Sequence, residues 1–379
     1  MSRMPDMRAS VSRRRFLQQA GAGLVAAPAL AGVAAAQRVP DPPGRKLGWA
    51  VVGLGSLAIN QILPAFARCE KSKVTALVSG HPDKAKKLAL RYGVAESSIY
   101  NYETYDRLRD NPDIDIVYVV LPNSMHAEYT IRAAKAGKHV LCEKPMANTP
   151  EDCRQMIEAC RTAGKKLSIG YRLHHEPFNQ ALIKVVRDQE FGPLKVVLAD
   201  AGFSIGDPNQ WRLNRKMAGG GSLMDIGIYA LNAARYLTNE EPTDVYAMEY
   251  TTPGDPRFRE VEETLTFQLR FPSGVLANCT SSYGGPLNRF RVVGTRGWAE
   301  LEPALIYSGL RMRASGGSVV EERPQPVIDH FAAEMDHLSD CVMQNTEPKT
   351  PGEEGLKDLT IMMAIYESAK SRQSVKLAT

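Results

Sequence analysis

Three observations predict a doubly wound α/β layer followed by an α+β domain. An apolar strand runs straight into a glycine-rich turn at Leu47–Ala58. Strand-like and helix-like segments then alternate to about Lys166. Beyond Leu167–Gly170 the chain turns to many short alternating strands. Strands separated by helices imply a parallel sheet with both faces covered; strands joined by Pro/Gly turns imply an antiparallel one. The first domain is expected over 46–166. The second, built on a large and mostly antiparallel sheet, is expected over 167–379. A chain of 379 residues is long enough to give each an ordinary core.

Two segments precede these domains. Ser12-Arg13-Arg14-Arg15-Phe16-Leu17 leads into a short Gly/Ala run, Ala20–Val33, and Ala34-Ala35-Ala36 offers an A-x-A cleavage site. The run is too short for a stable membrane anchor. The combination predicts a twin-arginine (Tat) export signal over 1–36, the alternative being a disordered basic tail. Export by that route, known for carrying folded proteins, implies a periplasmic protein whose early partner is the Tat machinery, with no membrane attachment after cleavage. Residues 37–45 are a Pro-rich extended arm, either a linker or a reach toward a neighbouring subunit.

Charge and cysteine exclude several classes. Five arginines against Asp6 give Met1–Ala36 a net +4 of the chain's +5, leaving +1 elsewhere. That is no electrostatic footprint for nucleic acid or an anionic membrane. The six cysteines show no C-x-x-C or Cys/His metal spacing, so no metal is expected. Cys153 and Cys160 share a predicted helix about 10 Å apart by helical rise, too far to bridge, and free thiols are expected.

In chain order, Trp49–Val52 reads as a buried strand ending in Gly53, Gly55 and Ala58, spaced G-x-G-x-x-A around Ser56 and Leu57. Gly53 permits the tight turn, Gly55 admits a pyrophosphate to the backbone, and Ala58 lets the following helix pack close. Any tight strand-to-helix turn can carry two glycines, so the motif alone does not decide. Strand two, Val74–Val78, ends at Ser79 with no carboxylate, and Lys84, Lys86 and Lys87 follow. A free ribose 2′-hydroxyl usually meets an acidic residue there. A hydroxyl plus lysine suits a 2′-phosphate instead, which reads as NADP rather than NAD. The alternative is that these lysines merely solvate a helix over Lys84–Tyr92.

The strand Ile116–Leu121 ends in Leu121-Pro122-Asn123-Ser124-Met125-His126, and the next helix is expected over His126–Ala136. Ligands bind outside the carboxyl ends of such strands, so this loop should border the nicotinamide side. His126 could equally cap the helix. The strand His139–Cys142 leads to Glu143-Lys144-Pro145, where Pro145 restricts Lys144 to extended geometry and aims it. A helix near Thr149–Ala163 and the strand Leu167–Gly170 close this part. Helices are expected near Pro177–Asp188 and Ser222–Tyr236. Strands follow at Val245–Tyr250, Glu262–Arg270, Val275–Ser281, Phe290–Val293 and Ala299–Leu301, with a last helix over about 353–371. In Ala218–Asn232 three glycines precede Asp225 and Tyr229, which stand i and i+4 on one helical face. A nearby lysine ammonium favours the tyrosine anion, so a Lys144/Tyr229 pair could take a hydroxyl proton as hydride leaves. Composition alone reads the same helix as amphipathic core with a packed tyrosine.

Taken together, VVGLGSLAINQILPAF, ALVSGHPDKAK, LPNSMHAE, AGKHVLCEKPMA, IGYRLHHEPFN, QWRL, AGGGSLMDIGIYALN and TPGEEG resemble the Gfo/Idh/MocA oxidoreductases over nearly the whole chain from Lys46. Within them the match is to the glucose–fructose and aldose–aldose oxidoreductase branch. That resemblance implies tightly held, non-exchanging NADP and C1 chemistry on sugars: an aldose becomes an aldonolactone and a second sugar an alditol. It implies Lys144, Tyr229 and Asp225 as the catalytic set, with Tyr229 as acid/base. It implies cofactor contacts from Leu57, Ser79, Lys84, Tyr102, Glu143, Lys144, Arg172, Trp211 and Arg212, joining Gly53, Gly55, Ser56, Ala58, Leu121, Pro122, Asn123 and His126. The sugar would meet Lys144, Arg172, His175, Asp225, Tyr229 and Tyr283. His175 stands where near members of the branch carry Tyr, and the Pro-rich arm is short. A cis Lys144–Pro145 bond and a homodimer or homotetramer are also implied. The alternatives are a conventional sugar dehydrogenase that exchanges NADP, an NAD-dependent glycosidase on the same fold, and a non-catalytic sugar-binding protein.

Overall fold

Strands β1 (Leu47–Val52), β2 (Ser72–Val78), β3 (Ile99–Tyr100), β4 (Ile116–Val119), β5 (His139–Glu143) and β6 (Leu167–Gly170) form one parallel sheet in the order β3-β2-β1-β4-β5-β6. All six residues of β1 are buried, as a strand covered on both faces requires. The order reverses between β1 and β4, which opens a crevice beyond their carboxyl ends. The computed structural model describes residues 44–377, so the predicted export signal and most of the Pro-rich arm lie outside it.

Gly53 turns the chain out of β1 with φ +92°, and its N–H donates to the Val78 carbonyl at 3.0 Å. A Cβ there would lie 2.2 Å from the Val120 carbonyl oxygen, so only glycine lets β1 and β4 end side by side. The helix that follows is broken: a π-turn at Ala58–Ile62, an α-turn at Leu63–Ala65 and a 3-10 turn at Phe66–Arg68. Pro64 has no N–H to give to the ladder, which accounts for the irregularity. Helices α1 (Pro82–Tyr92), α2 (Asn123–Lys135) and α3 (Pro150–Thr162) complete the crossovers. Helix α2 starts three residues before the expected His126, directly after Pro122. Thr149 caps α3 by accepting the Asp152 N–H at 3.1 Å.

The second sheet holds β7 (Leu194–Gly202), β8 (Asp244–Tyr250), β9 (Thr264–Arg270), β10 (Leu276–Ser282), β11 (Leu287–Gly294), β12 (Gly297–Leu301), β13 (Met312–Ser315), β14 (Glu321–Glu322) and β15 (Val375–Lys376). Their order is β14-β13-β12-β11-β7-β10-β9-β8-β15, antiparallel throughout except for β7 beside β10. Strand β7 sits at its centre although the sequence had not marked it. Along β9, Leu265, Phe267 and Leu269 are buried while Thr266, Gln268 and Arg270 face out, the alternation of a half-covered sheet.

Among the described residues the longer remaining helices are α4 (Pro177–Arg187), α5 (Ile228–Thr238), α6 (His330–Gln344) and α7 (Gly352–Ser371), with a single α-turn at Arg215–Ala218. Helices α5 and α7 cover the buried face of the second sheet. Helix α6, which sequence patterning did not mark, returns to the first. Its Phe331, Ala332, Met335 and Leu338 share one core with Trp49, Val51, Leu77 and Tyr118. Trp49 Nε1 donates to Ser339 Oγ at 3.2 Å. All six cysteines are buried and unbonded.

Candidate active site

A cavity of about 680 Å³ opens in the crevice between β1 and β4. Gly53, Gly55, Ser56 and Leu57 line it from the turn, and Ser79, Lys84 and Tyr102 from beyond β2. Leu121, Pro122 and Asn123 line its middle. A Cβ on Gly55 would meet nothing within 4 Å, so the bare backbone there leaves room for a bound group. Lys84 Nζ reaches the Leu54 carbonyl at 3.4 Å, and Ser79 Oγ accepts the His81 N–H at 3.1 Å. No carboxylate lines this part of the cavity among the described residues. Its two acidic lining residues, Glu143 and Asp225, stand with Lys144 instead.

That second group is dense with charge. Lys144 comes from the end of β5. Arg172 comes from the turn Arg172–His175, Trp211 and Arg212 from the turn Trp211–Leu213, and Asp225 and Tyr229 from the chain entering α5. The helix expected over Ser222–Tyr236 is a π-turn, Leu223–Gly227, that hands over to α5. Its start is pinned by buried Glu262, whose Oε2 accepts the Gly221 N–H at 2.8 Å and whose Oε1 accepts the Leu223 N–H at 3.0 Å. A Cβ on Gly221 would lie 2.2 Å from the Glu262 carbonyl oxygen, which explains one glycine of the run.

Asp225 Oδ2 meets Arg212 Nε at 3.0 Å and accepts the Tyr283 hydroxyl at 3.1 Å, while Oδ1 lies 3.4 Å from Lys144 Nζ. Burial pulls this carboxyl up, but Arg212, Lys144 and the tyrosine hydrogen bond outweigh it and hold it at about 2. Burial likewise opposes the Lys144 charge, and Tyr229, Asp225 and Glu143 outweigh it, keeping the ammonium protonated. Tyr229 presents its ring to both cations, with Lys144 Nζ 4.8 Å and Arg172 Cζ 5.1 Å from its centroid. Its hydroxyl oxygen accepts Arg172 Nε at 3.2 Å. The cluster can therefore hold an oxygen-rich group and exchange a proton with it through one phenol.

A family model for an oxidoreductase family with an NAD-binding Rossmann fold matches residues 47–171, and a model of the GFO/IDH/MocA C-terminal domain matches 179–300. The chain belongs to the Gfo/Idh/MocA oxidoreductase family. It has relatives that span most of its length. It is similar to the solved aldose–aldose oxidoreductase from Caulobacter crescentus complexed with glycerol, at 56% identity and a TM-score of 0.86, covering 88% of this chain and 100% of that one. It is 32% identical to a D-xylose 1-dehydrogenase [NADP(+)] of Haloarcula marismortui over 90% of this chain and 95% of that protein. A 1,5-anhydro-D-fructose reductase of Ensifer adhaerens is 26% identical over 87% and 98%.

The residues of this Gfo/Idh/MocA chain fit an NAD(P) cofactor: a strand-end glycine turn with open space at Gly55 leads along one cavity to the Lys144 cluster. Four expected residues stand elsewhere. Ala58 is fully buried against the sheet and lets the turn pack, without lining the cavity. His126 does not border the cavity: its buried ring sits between the Leu121 and Pro145 carbonyls, Nε2 2.8 Å from one and Nδ1 2.9 Å from the other, and the neutral ring donates to one of them. His175 does not line it either. It is buried with its ring 4.9 Å from that of His337. Tyr283 is buried behind Asp225, which it orients. Tyr307, Leu305 and Phe331 line the cavity unforeseen. They lie far along the chain in segments without a local motif, and Tyr307 stacks on Arg172 at 4.8 Å.

Proposed function

We propose that this protein is a periplasmic, NADP-containing sugar oxidoreductase that couples two half-reactions. One aldose is oxidised at C1 to its aldonolactone, and a second sugar is reduced to its alditol. The observation that carries this reading is the Tyr229 hydroxyl held by Arg172 beside the Lys144–Asp225 pair. The likeness to the Caulobacter aldose–aldose oxidoreductase and the Haloarcula D-xylose dehydrogenase supports the substrate class.

NADP, when bound, supplies the hydride acceptor and later the donor. The chain supplies the rest. Gly55 leaves room for the pyrophosphate, and Ser79 and Lys84 suit a 2′-phosphate in a stretch with no carboxylate to repel it. Asp225, fixed by Arg212 and Tyr283, is an acceptor for sugar hydroxyls. Tyr229 takes the C1 hydroxyl proton as the C1–H bond gives up its electron pair. In the return half-reaction Tyr229 gives that proton to the carbonyl oxygen of the second sugar. Lys144 and Arg172 stabilise the phenol oxygen while it is anionic.

The export signal gives the coupling a physical motive. Free NADP(H) is not expected outside the cytoplasm, so the nucleotide is loaded before export and regenerated in place. Assembly into a homodimer or homotetramer belongs to the same reading. The test is to denature purified mature protein and assay the supernatant: about one NADP(H) per chain is expected. Release of none, with NADPH accumulating freely only when NADP⁺ is added, would instead identify a conventional dehydrogenase.

A further inference from the structure

Glu334 has no part in the chemistry above, yet both of its carboxyl oxygens are buried without a hydrogen-bond partner. The residue is 1% exposed on α6, one turn after cavity-lining Phe331. Helix α6 packs there on β5 and on the turn Arg172–His175. Glu143 and Tyr118 face Glu334 from the first sheet, Arg172 from the turn, and His330 from its own helix. Glu143 is itself buried, and its oxygens accept the Tyr118 hydroxyl at 2.8 Å and the Lys144 N–H at 3.3 Å.

Among the described residues no cation makes an ion pair or hydrogen bond with the Glu334 carboxyl, although Arg172 stands near it. Arg172 gives its donors to Tyr229, the Leu305 carbonyl and His330 Nδ1. Lys144 turns to Asp225. His330 stays neutral, because burial and Arg172 hold it at about 3. Lys144 and Arg172 draw these carboxyls down, but burial outweighs both cations, so Glu143 and Glu334 cannot both ionise at low cost. Burial and the neighbouring Glu143 push the Glu334 carboxyl well up, and burial raises Glu143 as well.

We propose that Glu143 and Glu334 hold one proton between them and that Glu334, as its bearer, is a positioning residue for Lys144. With the pair singly charged, Asp225 is the stronger attraction for the ammonium. Glu143 already attracts the Lys144 ammonium, and a second negative charge on the pair would compete with Asp225 and Tyr229 for it. The catalytic role of Lys144 rests on the function proposed above; the shared proton does not.

Infrared spectra of the full mature protein, titrated from acid to alkaline pH with no sugar present, read the pair directly. The wild type is expected to keep a protonated-carboxylic-acid C=O band at neutral pH, and Glu334→Gln to lose it. The Gln side chain mimics the neutral acid, so turnover at neutral pH is retained while the alkaline limb of the kcat profile moves up by about one unit or more. A wild type without the band at neutral pH overturns the inference whatever the sugars do, and needs no variant to fold. A Gln variant whose band and alkaline limb match wild type overturns it too. A wild-type band lost in the variant, in a protein that turns over no sugar pair, upholds the shared proton and counts against the function instead.

Discussion

Tyr229 shows how much one side chain depends on its neighbours for a chemical identity. A tyrosine buried to 9% exposure on an apolar helix is ordinary core. What distinguishes this one is two cations at its ring face and an arginine donor on its oxygen. Tyr229→Phe keeps the ring and its packing and removes only the proton-carrying oxygen. Turnover should fall by about 10²- to 10⁴-fold, with nucleotide affinity and melting temperature close to wild type. Equal losses in nucleotide affinity, measured by fluorescence titration, would make the tyrosine a binding residue only. The i, i+4 spacing of Asp225 and Tyr229 and the strand-end position of Lys144 were legible in the sequence. The positions of His126 and His175 were not, because a strand-end loop names the residues near a crevice without saying which turn inward. His126 turns away to sit between two carbonyls whose meeting depends on the folded Lys144–Pro145 turn.

At the scale of elements, local pattern read five of the six strands of the first sheet, each an apolar stretch bounded by turn residues, and missed the two-residue edge strand β3. Strand β7 carries Lys195 and Asp200 and is only partly buried along its length, so it lacks that signature despite its central place. Helix α6 is invisible for another reason: its partner surface lies at the opposite end of the chain. Met335 is fully buried in the core it shares with Trp49 and Leu77. Met335→Ala should therefore destabilise the Rossmann layer by about 2–5 kcal/mol, read as a lower denaturant midpoint and faster amide exchange in β1 and β2. An unchanged midpoint would mean that α6 is peripheral to that layer.

Across the whole molecule, buried histidines set the response to acid. Burial holds His174 at about 4 and His330 at about 3, against an ordinary 6.5. Below pH 6.5 the unfolded chain takes up protons that the native chain refuses until those lower values, so stability falls as pH drops through that window. Each contributes about 2 kcal/mol of loss at about pH 5, and the urea midpoint should fall clearly between neutral pH and there. A flat midpoint would show that these rings are hydrated. Asp225 acts lower, its contribution being lost only between 3.8 and about 2, so its ion pair outlasts the histidines.

The same whole-molecule view joins the Gly53–Leu57 turn to the Lys144 cluster through one cavity, in which the proposed reaction passes hydride between two sugars by way of NADP(H). Mature protein incubated with an aldose and a second sugar, with no nucleotide added, should form aldonolactone and alditol in equal amounts over many turnovers. Lactone that stops at one equivalent per chain, or forms only when NADP⁺ is supplied, would contradict it.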